Sequence, residues 1–358
     1  MRPIAGCRVR NVTLTVLYNV IRNFSLINMK KWITDVIDNP KRIAIPILTH
    51  PGIEMTGKTV LDAVTNGKVH AEAILALNER FPSAATTVIM DLTVEAEAFG
   101  CVITFSEDEV PTVTRRLVSS FDEVQQLPVP SLSAGRIPQY LMANQLTVAA
   151  ITDKPVLGGC IGPYSLAGRL FDMTEIMMAI YTEPETVILL LEKCTQFLTG
   201  YCRALKNTGV NGVIIAEPAS GLLSDDDCRQ YSSFYVKQIV DALQDDSFSV
   251  FLHNCGNTGH CTQAMLNTGA SGYHFGNAMN MMDALETCPS DVLVMGNLDP
   301  VGVFKMSTPE QVKQSAKDLL ERTAGYRNFV LSSGCDVPPH TPLENVASFY
   351  EALGEFNK

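Results

Sequence analysis

Residues 248–256 read FSVFLHNCG, a short apolar run that ends abruptly in polar side chains. A brief and nearly continuous apolar run is typical of a strand that is buried on both faces of a parallel sheet. The pattern recurs along the chain, with longer amphipathic segments between its copies. The predicted strands are residues 42–48, 86–90, 154–160, 212–216, 248–252, 271–275, 292–295 and 328–331.

The segments between the predicted strands carry helical signals. The clearest helix begins at Pro309, where Thr308 and Gln311 have the spacing of a capping box and proline suits the first turn. Pro184 is predicted to divide residues 174–205 into two helices, because proline breaks the hydrogen-bond ladder in the interior of a helix. The chain is therefore expected to alternate strands with helices.

Eight strands that alternate with helices predict an α/β fold, a single (β/α)8 TIM barrel with extra N-terminal helices. An open doubly wound sheet is the alternative, but no GxGxxG motif follows the first predicted strand. We assign residues 29–358 to one catalytic domain. Residues 1–28 have a basic start and an apolar middle broken by polar residues, so we expect an N-terminal extension rather than a secretion signal or a membrane span.

The composition narrows the class of partner. Among 358 residues there are 27 Lys and Arg against 38 Asp and Glu, a formal net charge of -11. No run of basic residues stands out, so neither nucleic acid nor a membrane is an expected partner. The 10 cysteines are scattered through apolar segments rather than spaced as a disulfide framework, which predicts a cytoplasmic protein. A homo-oligomer is compatible with the sequence.

Three soft metal ligands follow two of the predicted strands. His253 and Cys255 follow the fifth, and Cys335 follows the eighth in the segment LSSGCD. The carboxyl ends of all barrel strands meet at one mouth, so the two segments can converge on one ion. A Cys2His set leaves a fourth position open, which is the layout of a catalytic zinc site. Spacing alone leaves the alternative that Cys255 and Cys335 are ordinary buried thiols and His253 is a core histidine.

The chemistry of this ligand set predicts thiol activation. Two thiolates and a neutral imidazole balance the charge of Zn2+. A substrate thiol that enters the open position loses its proton, and its sulfur stays nucleophilic because the whole complex then carries a net negative charge. A site with more histidine would instead favour the activation of water.

Other polar side chains follow predicted strand ends and are expected at the same mouth. We predict catalytic roles for Glu217, as an exchangeable zinc ligand or proton acceptor, and for Asp91, as a hydrogen-bonding partner of the substrate or of a zinc ligand. The alternatives are a capping acid for Asp91 and a buried carboxylate bonded to backbone amides for Glu217. The predicted substrate-binding residues are His50, Glu95, Asn297 and Asp336.

Four segments, IMDLTVEAEAFGC, FLHNCGNT, GNLDPV and SSGCDVPPHTPLEN, resemble the methylcobamide:coenzyme M methyltransferase branch of the uroporphyrinogen decarboxylase superfamily. The resemblance runs from about residue 30 to the carboxyl terminus. It implies a TIM barrel, zinc bound by the residues matching His253, Cys255 and Cys335, and methyl transfer to a zinc-bound thiolate. The partners it implies are a methylated corrinoid protein, whose methylcobamide donates the methyl group, and a small thiol acceptor such as coenzyme M.

Two other functions stay open. The decarboxylase branch of the superfamily carries an arginine-rich MRQAGRY-like segment after the first strand, whereas this chain reads ILTHPGIEMTGKTV there. The difference disfavours metal-free decarboxylation of a tetrapyrrole. A non-catalytic subunit that binds a corrinoid protein is the second alternative. The acceptor is least defined: a sulfonate would need a basic residue, for which Arg136 and Arg169 are candidates, and another thiol or a folate is an alternative.

Overall fold

A parallel sheet of seven strands organises the protein. The structure, a computed structural model, describes residues 27–358, so the predicted extension at residues 1–28 lies almost entirely outside the described residues. The seven strands are β1 (Thr86–Thr87), β4 (Val156–Ile161), β5 (Gly212–Ala216), β6 (Ser249–Asn254), β7 (Gly272–Phe275), β8 (Leu293–Leu298) and β9 (Phe329–Ser333), hydrogen-bonded in that order. A separate antiparallel hairpin joins β2 (Ile103–Thr104) to β3 (Thr112–Val113).

The first predicted strand, residues 42–48, closes the ring without forming a regular strand. Ala44 makes an isolated parallel bridge to Leu331 of β9, and its carbonyl accepts the N–H of Ala84, just before β1. The segment therefore lies between the two edge strands, in the place of an eighth strand. Prediction of a full strand here was wrong because Pro46 has no N–H to donate to a neighbour.

The other seven predicted strands are present, β5 with the predicted ends and the other six with shifted ends. The largest change is in β1, which was predicted over residues 86–90 and is only two residues long. Beyond it, the N–H of Ile89 is donated to Nε2 of His70 on a neighbouring helix, at 3.1 Å, instead of to a strand. The predicted (β/α)8 barrel is confirmed.

Helices cover the outside of the ring. They are α1 (Met29–Asp38), α2 (Pro51–Met55), α3 (Val60–Thr65), α4 (Gly67–Arg80), α5 (Val94–Phe99), α6 (Phe121–Gln126), α7 (Ile137–Ala150), α8 (Pro163–Phe171), α9 (Met173–Thr182), α10 (Pro184–Asn207), α11 (Asp225–Cys228), α12 (Phe234–Leu243), α13 (Thr262–Leu266), α14 (Met281–Thr287), α15 (Pro309–Arg322) and α16 (Leu343–Phe356). The break before Pro184 and the capping box of Thr308 with Gln311 are both as predicted. Within residues 27–358 none of these helices has the length and hydropathy needed to cross a bilayer.

The ring is filled by side chains rather than open along its axis. The interior cluster takes one or two inward-facing residues from most strands, together with two residues of α1 that close the amino-terminal end. Its buried members are Met29, Ile33, Ile45, Ile47, Ala85, Leu157, Ile214, Phe251, Leu293, Met295 and Val330. A larger apolar cluster packs the helices against the outside of the strands. The side chains of the candidate site described below lie toward the carboxyl ends of the strands.

Candidate metal centre

His253, Cys255 and Cys335 converge at the carboxyl-terminal mouth of the barrel. One ligand atom of each lies within 4.8 Å of the others. His253 is the penultimate residue of β6, Cys255 directly follows that strand, and Cys335 comes two residues after β9. Among the described residues this is the group of histidine, cysteine and acidic side chains that has the spacing of a metal site. The two segments therefore meet as the sequence predicted.

Both cysteine loops pack closely against the loop after β7. A Cβ at Gly276 would lie 2.6 Å from the Cα of Cys255, and a Cβ at Gly334 would lie 2.6 Å from the backbone nitrogen of Asn277. Only glycine fits at such positions. The loop after Cys255 is also fixed by Asn254, whose Oδ1 accepts the N–H groups of Gly256 and Asn257 at 3.0 Å each.

The donor atoms of the three residues suit a soft divalent metal. Nε2 of His253 is buried and has no hydrogen-bond partner within the part of the chain that the structure describes. A hydrogen bond from Cys335 to Cys255 lowers the pKa of the Cys255 thiol and raises that of Cys335, with burial adding to the increase at Cys335. One free imidazole nitrogen and two paired sulfur atoms match the donors that Zn2+ prefers.

A chain of two hydrogen bonds, through His274 and Ser332, begins at Nδ1 of His253. Nδ1 of His253 lies 2.7 Å from Nδ1 of His274, and Nε2 of His274 lies 2.8 Å from Oγ of Ser332. Burial, followed by the nearby His253 ring, lowers the pKa of His274 well below the usual range, so His274 is neutral. The sequence offers no signal for this contact, because it depends on how β6, β7 and β9 are aligned.

Glu217 lies beside the three residues but its carboxylate is occupied. Oε2 accepts the N–H of Tyr164 at 3.0 Å, and Oε1 accepts the N–H of Ser165 at 2.6 Å, both in the first turn of α8. Complete burial raises the pKa of Glu217 to about 7, against the opposing effect of the hydrogen bonds from Ser165. The backbone N–H of Glu217 donates to the carbonyl of His253 at 2.8 Å. These contacts match the alternative stated for Glu217, and its catalytic role stays a prediction.

Asp91 is enclosed by hydrogen-bond donors. Its Oδ2 pairs with the guanidinium of Arg136 and accepts the hydroxyl of Tyr140 at 2.7 Å. Its Oδ1 accepts the N–H groups of Thr93 and Val94, at 2.8 and 3.1 Å. Arg136, a candidate contact for a sulfonate, is therefore committed to Asp91. The predicted catalytic role of Asp91 stays a prediction, and its contacts are those of a capping and pairing residue.

Glu95 and Asn297 lie near the mouth and bind backbone groups. Glu95 is buried and accepts the N–H of Ile161 at 3.1 Å, and burial raises its pKa to about 7. The amide of Asn297 donates to the carbonyls of Gly276 and Met279, at 2.9 and 2.6 Å, and so fixes the loop after β7. Their substrate-binding roles stay predictions.

His50 and Asp336 connect the first strand segment to the Cys335 loop. Oδ2 of Asp336 lies 2.9 Å from Nδ1 of His50, and both of its oxygens accept the hydroxyl of Thr49 at 2.8 Å. Burial lowers the pKa of His50, but the charge and hydrogen bond of Asp336 outweigh it, so the net shift is upward. Nε2 of His50 is buried and has no partner among the described residues. These contacts position Cys335, which directly precedes Asp336, and the substrate-binding roles of the pair stay predictions.

A cavity of about 470 Å3 lies beside the mouth and has a basic wall that the sequence reasoning largely missed. Arg115, Arg116 and Arg169 line it, and only Arg169 was a candidate. Within residues 27–358 none of the three forms an ion pair. The adjacent arginines in TVTRRLV were the available signal in this acidic chain.

The fold and the site together define a TIM-barrel protein with a candidate Cys2His metal centre at the carboxyl ends of its strands. The family model for uroporphyrinogen decarboxylase (URO-D) matches residues 40–356. The chain belongs to the uroporphyrinogen decarboxylase family, as the sequence motifs predicted.

Relatives of the chain carry two different names. The methylcobamide:CoM methyltransferase MtbA of Methanosarcina acetivorans is 30% identical over 276 residues, which are 76% of this chain and 80% of that protein. A uroporphyrinogen decarboxylase of Alcanivorax borkumensis is 26% identical over 310 residues, which are 83% of this chain and 86% of that protein. A solved methyltransferase from Methanosarcina mazei matches with a TM-score of 0.83 and 24% identity, covering 93% of this chain and 99% of that one, and supports the fold. The chain is thus a homologue of methylcobamide:CoM methyltransferases.

Proposed function

We propose that the protein is a zinc-dependent methyltransferase that moves a methyl group from a methylated corrinoid to a small thiol. The observation that carries the proposal is the convergence of His253, Cys255 and Cys335 in a chain that is 30% identical to a methylcobamide:CoM methyltransferase. In the proposed reaction the bond between cobalt and the methyl carbon breaks, a bond between sulfur and carbon forms, and the thiol loses its proton.

The three residues supply donor atoms that suit zinc, and neighbouring residues hold the loops that carry them in place. His253, Cys255 and Cys335 would hold zinc with one position left for the substrate. When bound, zinc would keep the acceptor sulfur deprotonated and nucleophilic at neutral pH. The chain's own part is positioning: Asn254 and the close glycine contacts fix the Cys255 loop, and Asp336 fixes the Cys335 loop against Thr49.

The basic cavity supports an anionic acceptor. Its wall includes Pro218 and Ala219, which directly follow Glu217, and Glu217 is hydrogen-bonded to His253. The cavity therefore adjoins the strand that carries His253 and leads directly into Cys255. Guanidinium groups without an acidic partner are suited to a sulfonate or carboxylate. An anionic thiol such as coenzyme M fits this wall better than a neutral thiol.

A methyl-transfer assay tests the proposal. Methylcobalamin is supplied as donor, its demethylation is followed by absorbance, and zinc content is measured in parallel. The acceptor panel contains coenzyme M, its neutral analogue 2-mercaptoethanol, its cationic analogue cysteamine, and tetrahydrofolate. We expect a methylated thiol as product and loss of activity together with zinc in a Cys335→Ser variant. Methylation of the folate alone would contradict the thiol acceptor.

The variant Arg169→Ala tests the anionic acceptor. Loss of a charge-assisted hydrogen bond is expected to raise KM for coenzyme M roughly 10-fold or more and to leave KM for 2-mercaptoethanol unchanged. Arg203→Ala is the matched control, because Arg203 is exposed on α10 and does not line the cavity. An equal change for both thiols would contradict an anion contact.

The same preparations test decarboxylation, the alternative function that the names of other relatives suggest. Metal-free decarboxylation predicts that a porphyrinogen is consumed and that Cys255→Ala leaves this consumption intact. A non-catalytic corrinoid-binding subunit predicts capture of a corrinoid protein with no turnover of any thiol. Either result, with zinc absent from the wild type, would replace the proposal.

A further inference from the structure

A line of hydrogen bonds runs from the candidate metal centre to the backbone on the far side of the barrel. Nδ1 of His253 lies 2.7 Å from Nδ1 of His274, and Nε2 of His274 lies 2.8 Å from Oγ of Ser332. The Ser332 hydroxyl donates to the carbonyl of Ile45 at 2.7 Å. All three polar side chains are buried, so water does not compete for these bonds.

The direction of each bond follows from its last member. A carbonyl oxygen only accepts, so the single hydroxyl proton of Ser332 goes to Ile45, and Oγ must accept from Nε2–H of His274. The Nδ1 atoms of His253 and His274 lie 2.7 Å apart, so one of them donates and the other accepts. The carbonyl of His274 lies 3.3 Å from the same Nδ1 of His253 and can only accept, so His253 is the donor and Nδ1 of His274 is the acceptor.

We infer that His274, oriented by Ser332, is a positioning residue that fixes His253 in the Nδ1–H tautomer and presents the lone pair of its Nε2 to the metal. The free end agrees with this assignment: Nε2 of His253 is buried without a partner in the described part of the chain. In the neutral ring, a proton on Nε2 would leave Nδ1 without the hydrogen that it donates to Nδ1 and to the carbonyl of His274.

The two rings are held by the sheet rather than by a loop. His253 and His274 are register partners on the neighbouring strands β6 and β7, with ring centroids 4.7 Å apart and ring planes at 68°. A second hydrogen bond on the far nitrogen of a ligating histidine sets ring orientation and ligand basicity in metal sites. The contact between His253 and His274 follows from the register of β6 and β7, so it does not require a bound ion.

The inference concerns the same site as the proposed function, and its first test does not depend on that function. Metal-free wild-type protein is labelled with 15N-histidine, which gives six residues to assign, and the nitrogen shifts report which ring atom carries the proton. We expect Nδ1–H for His253 and Nε2–H for His274. A proton on Nε2 of His253 in the metal-free wild type would overturn the inference, whether or not the protein binds zinc.

The second test measures zinc affinity by competition with a chromophoric chelator. We expect His274→Leu, which offers no acceptor to His253, to weaken zinc binding about 10–100-fold. In His274→Asn the side-chain oxygen can replace Nδ1 as acceptor, so it should retain tighter binding than the leucine variant. His260→Ala is the control, since His260 bonds the carbonyl of Leu223 and is outside the metal group.

The results of these two tests distinguish the positioning role of His274 from the proposed zinc-dependent function. Unchanged zinc affinity in His274→Leu would overturn the positioning role. If that variant does not fold, Ser332→Ala removes the orienting bond with a smaller change and should show both weaker zinc binding and a mixed tautomer at His253. Wild-type protein that binds no zinc, yet has the expected tautomers, would refute the proposed function and leave the hydrogen-bond assignment standing.

Discussion

Replacing Arg136 by methionine should destabilise the protein far more than an ordinary surface substitution. Arg136 pairs with Asp91, whose side chain has 0% exposure, and with Glu97, which is 23% exposed. Methionine keeps much of the apolar stem but leaves the Asp91 carboxylate buried without its counterion. Removal of one partner from a buried ion pair typically costs about 3–5 kcal/mol, mostly because a charge is left unpaired.

A double-variant cycle separates this effect from simple loss of packing. In Asp91→Asn with Arg136→Met neither charge remains, and the introduced side-chain amide can donate to the Tyr140 hydroxyl that now donates to Asp91. The double variant should therefore be more stable than the sum of the two single changes predicts, by about 2–3 kcal/mol.

Urea unfolding followed by circular dichroism measures both quantities. A loss of unfolding free energy below about 1 kcal/mol in Arg136→Met, the level of an exposed ion pair, would show that Asp91 does not depend on Arg136 for its charge balance. Additive effects of the two single substitutions would likewise show that the two side chains are not coupled. Lys237→Met is a useful control, because its ion pair with Asp241 is exposed, with 50% and 59% accessibility.

Two further substitutions test the buried acids. Burial raises the pKa of Glu95 from 4.5 to about 7, so the folded state holds its proton more tightly than the unfolded state, and stability should fall by about 3 kcal/mol between those pH values. Glu95→Gln should make the fall in unfolding free energy between pH 5 and pH 8 smaller by about that amount, leaving the contribution of Glu217, whose pKa is also raised to about 7. Equal falls in variant and wild type would contradict the prediction. In Gly162→Ala the new Cβ would lie 2.4 Å from Oε2 of Glu217, so the carboxylate must move from Tyr164 and Ser165. Each amide left unpaired should cost about 1–3 kcal/mol, and an unchanged melting temperature would count against this arrangement.

The barrel and the convergence of the three candidate ligands could be predicted because both depend on short-range patterns. Apolar runs indicate strands, and the residue after each run lies at the carboxyl-terminal mouth of the barrel, independently of the loop conformations. The first strand was misjudged because hydrophobicity outweighed Pro46, whose missing N–H leaves only a bridge at Ala44. A single proline interrupts the hydrogen bonds between neighbouring strands, but it hardly changes the hydrophobicity of the segment.

The surroundings of the site could not be predicted, because they depend on which strands and loops face each other. His274 supports His253 through strand register, and nothing in its own segment distinguishes it from a core histidine. Arg136 was a candidate for a substrate anion, but it lies beside Asp91 and Glu97, two acids that are 45 and 39 positions away. The sequence alone therefore does not show whether a charged residue such as Arg136 is paired with another side chain or free to bind substrate.

The metal content of the purified protein is the decisive measurement for the proposed zinc site. Protein prepared without chelator is analysed by inductively coupled plasma mass spectrometry as wild type, as Cys335→Ser, and as Cys288→Ser, a buried cysteine outside the metal group that serves as control. We predict about one zinc per chain in the wild type and in the control, and loss of zinc in Cys335→Ser. A folded wild type that takes up no zinc, or a Cys335→Ser variant that keeps it, would show that these residues do not form a zinc site.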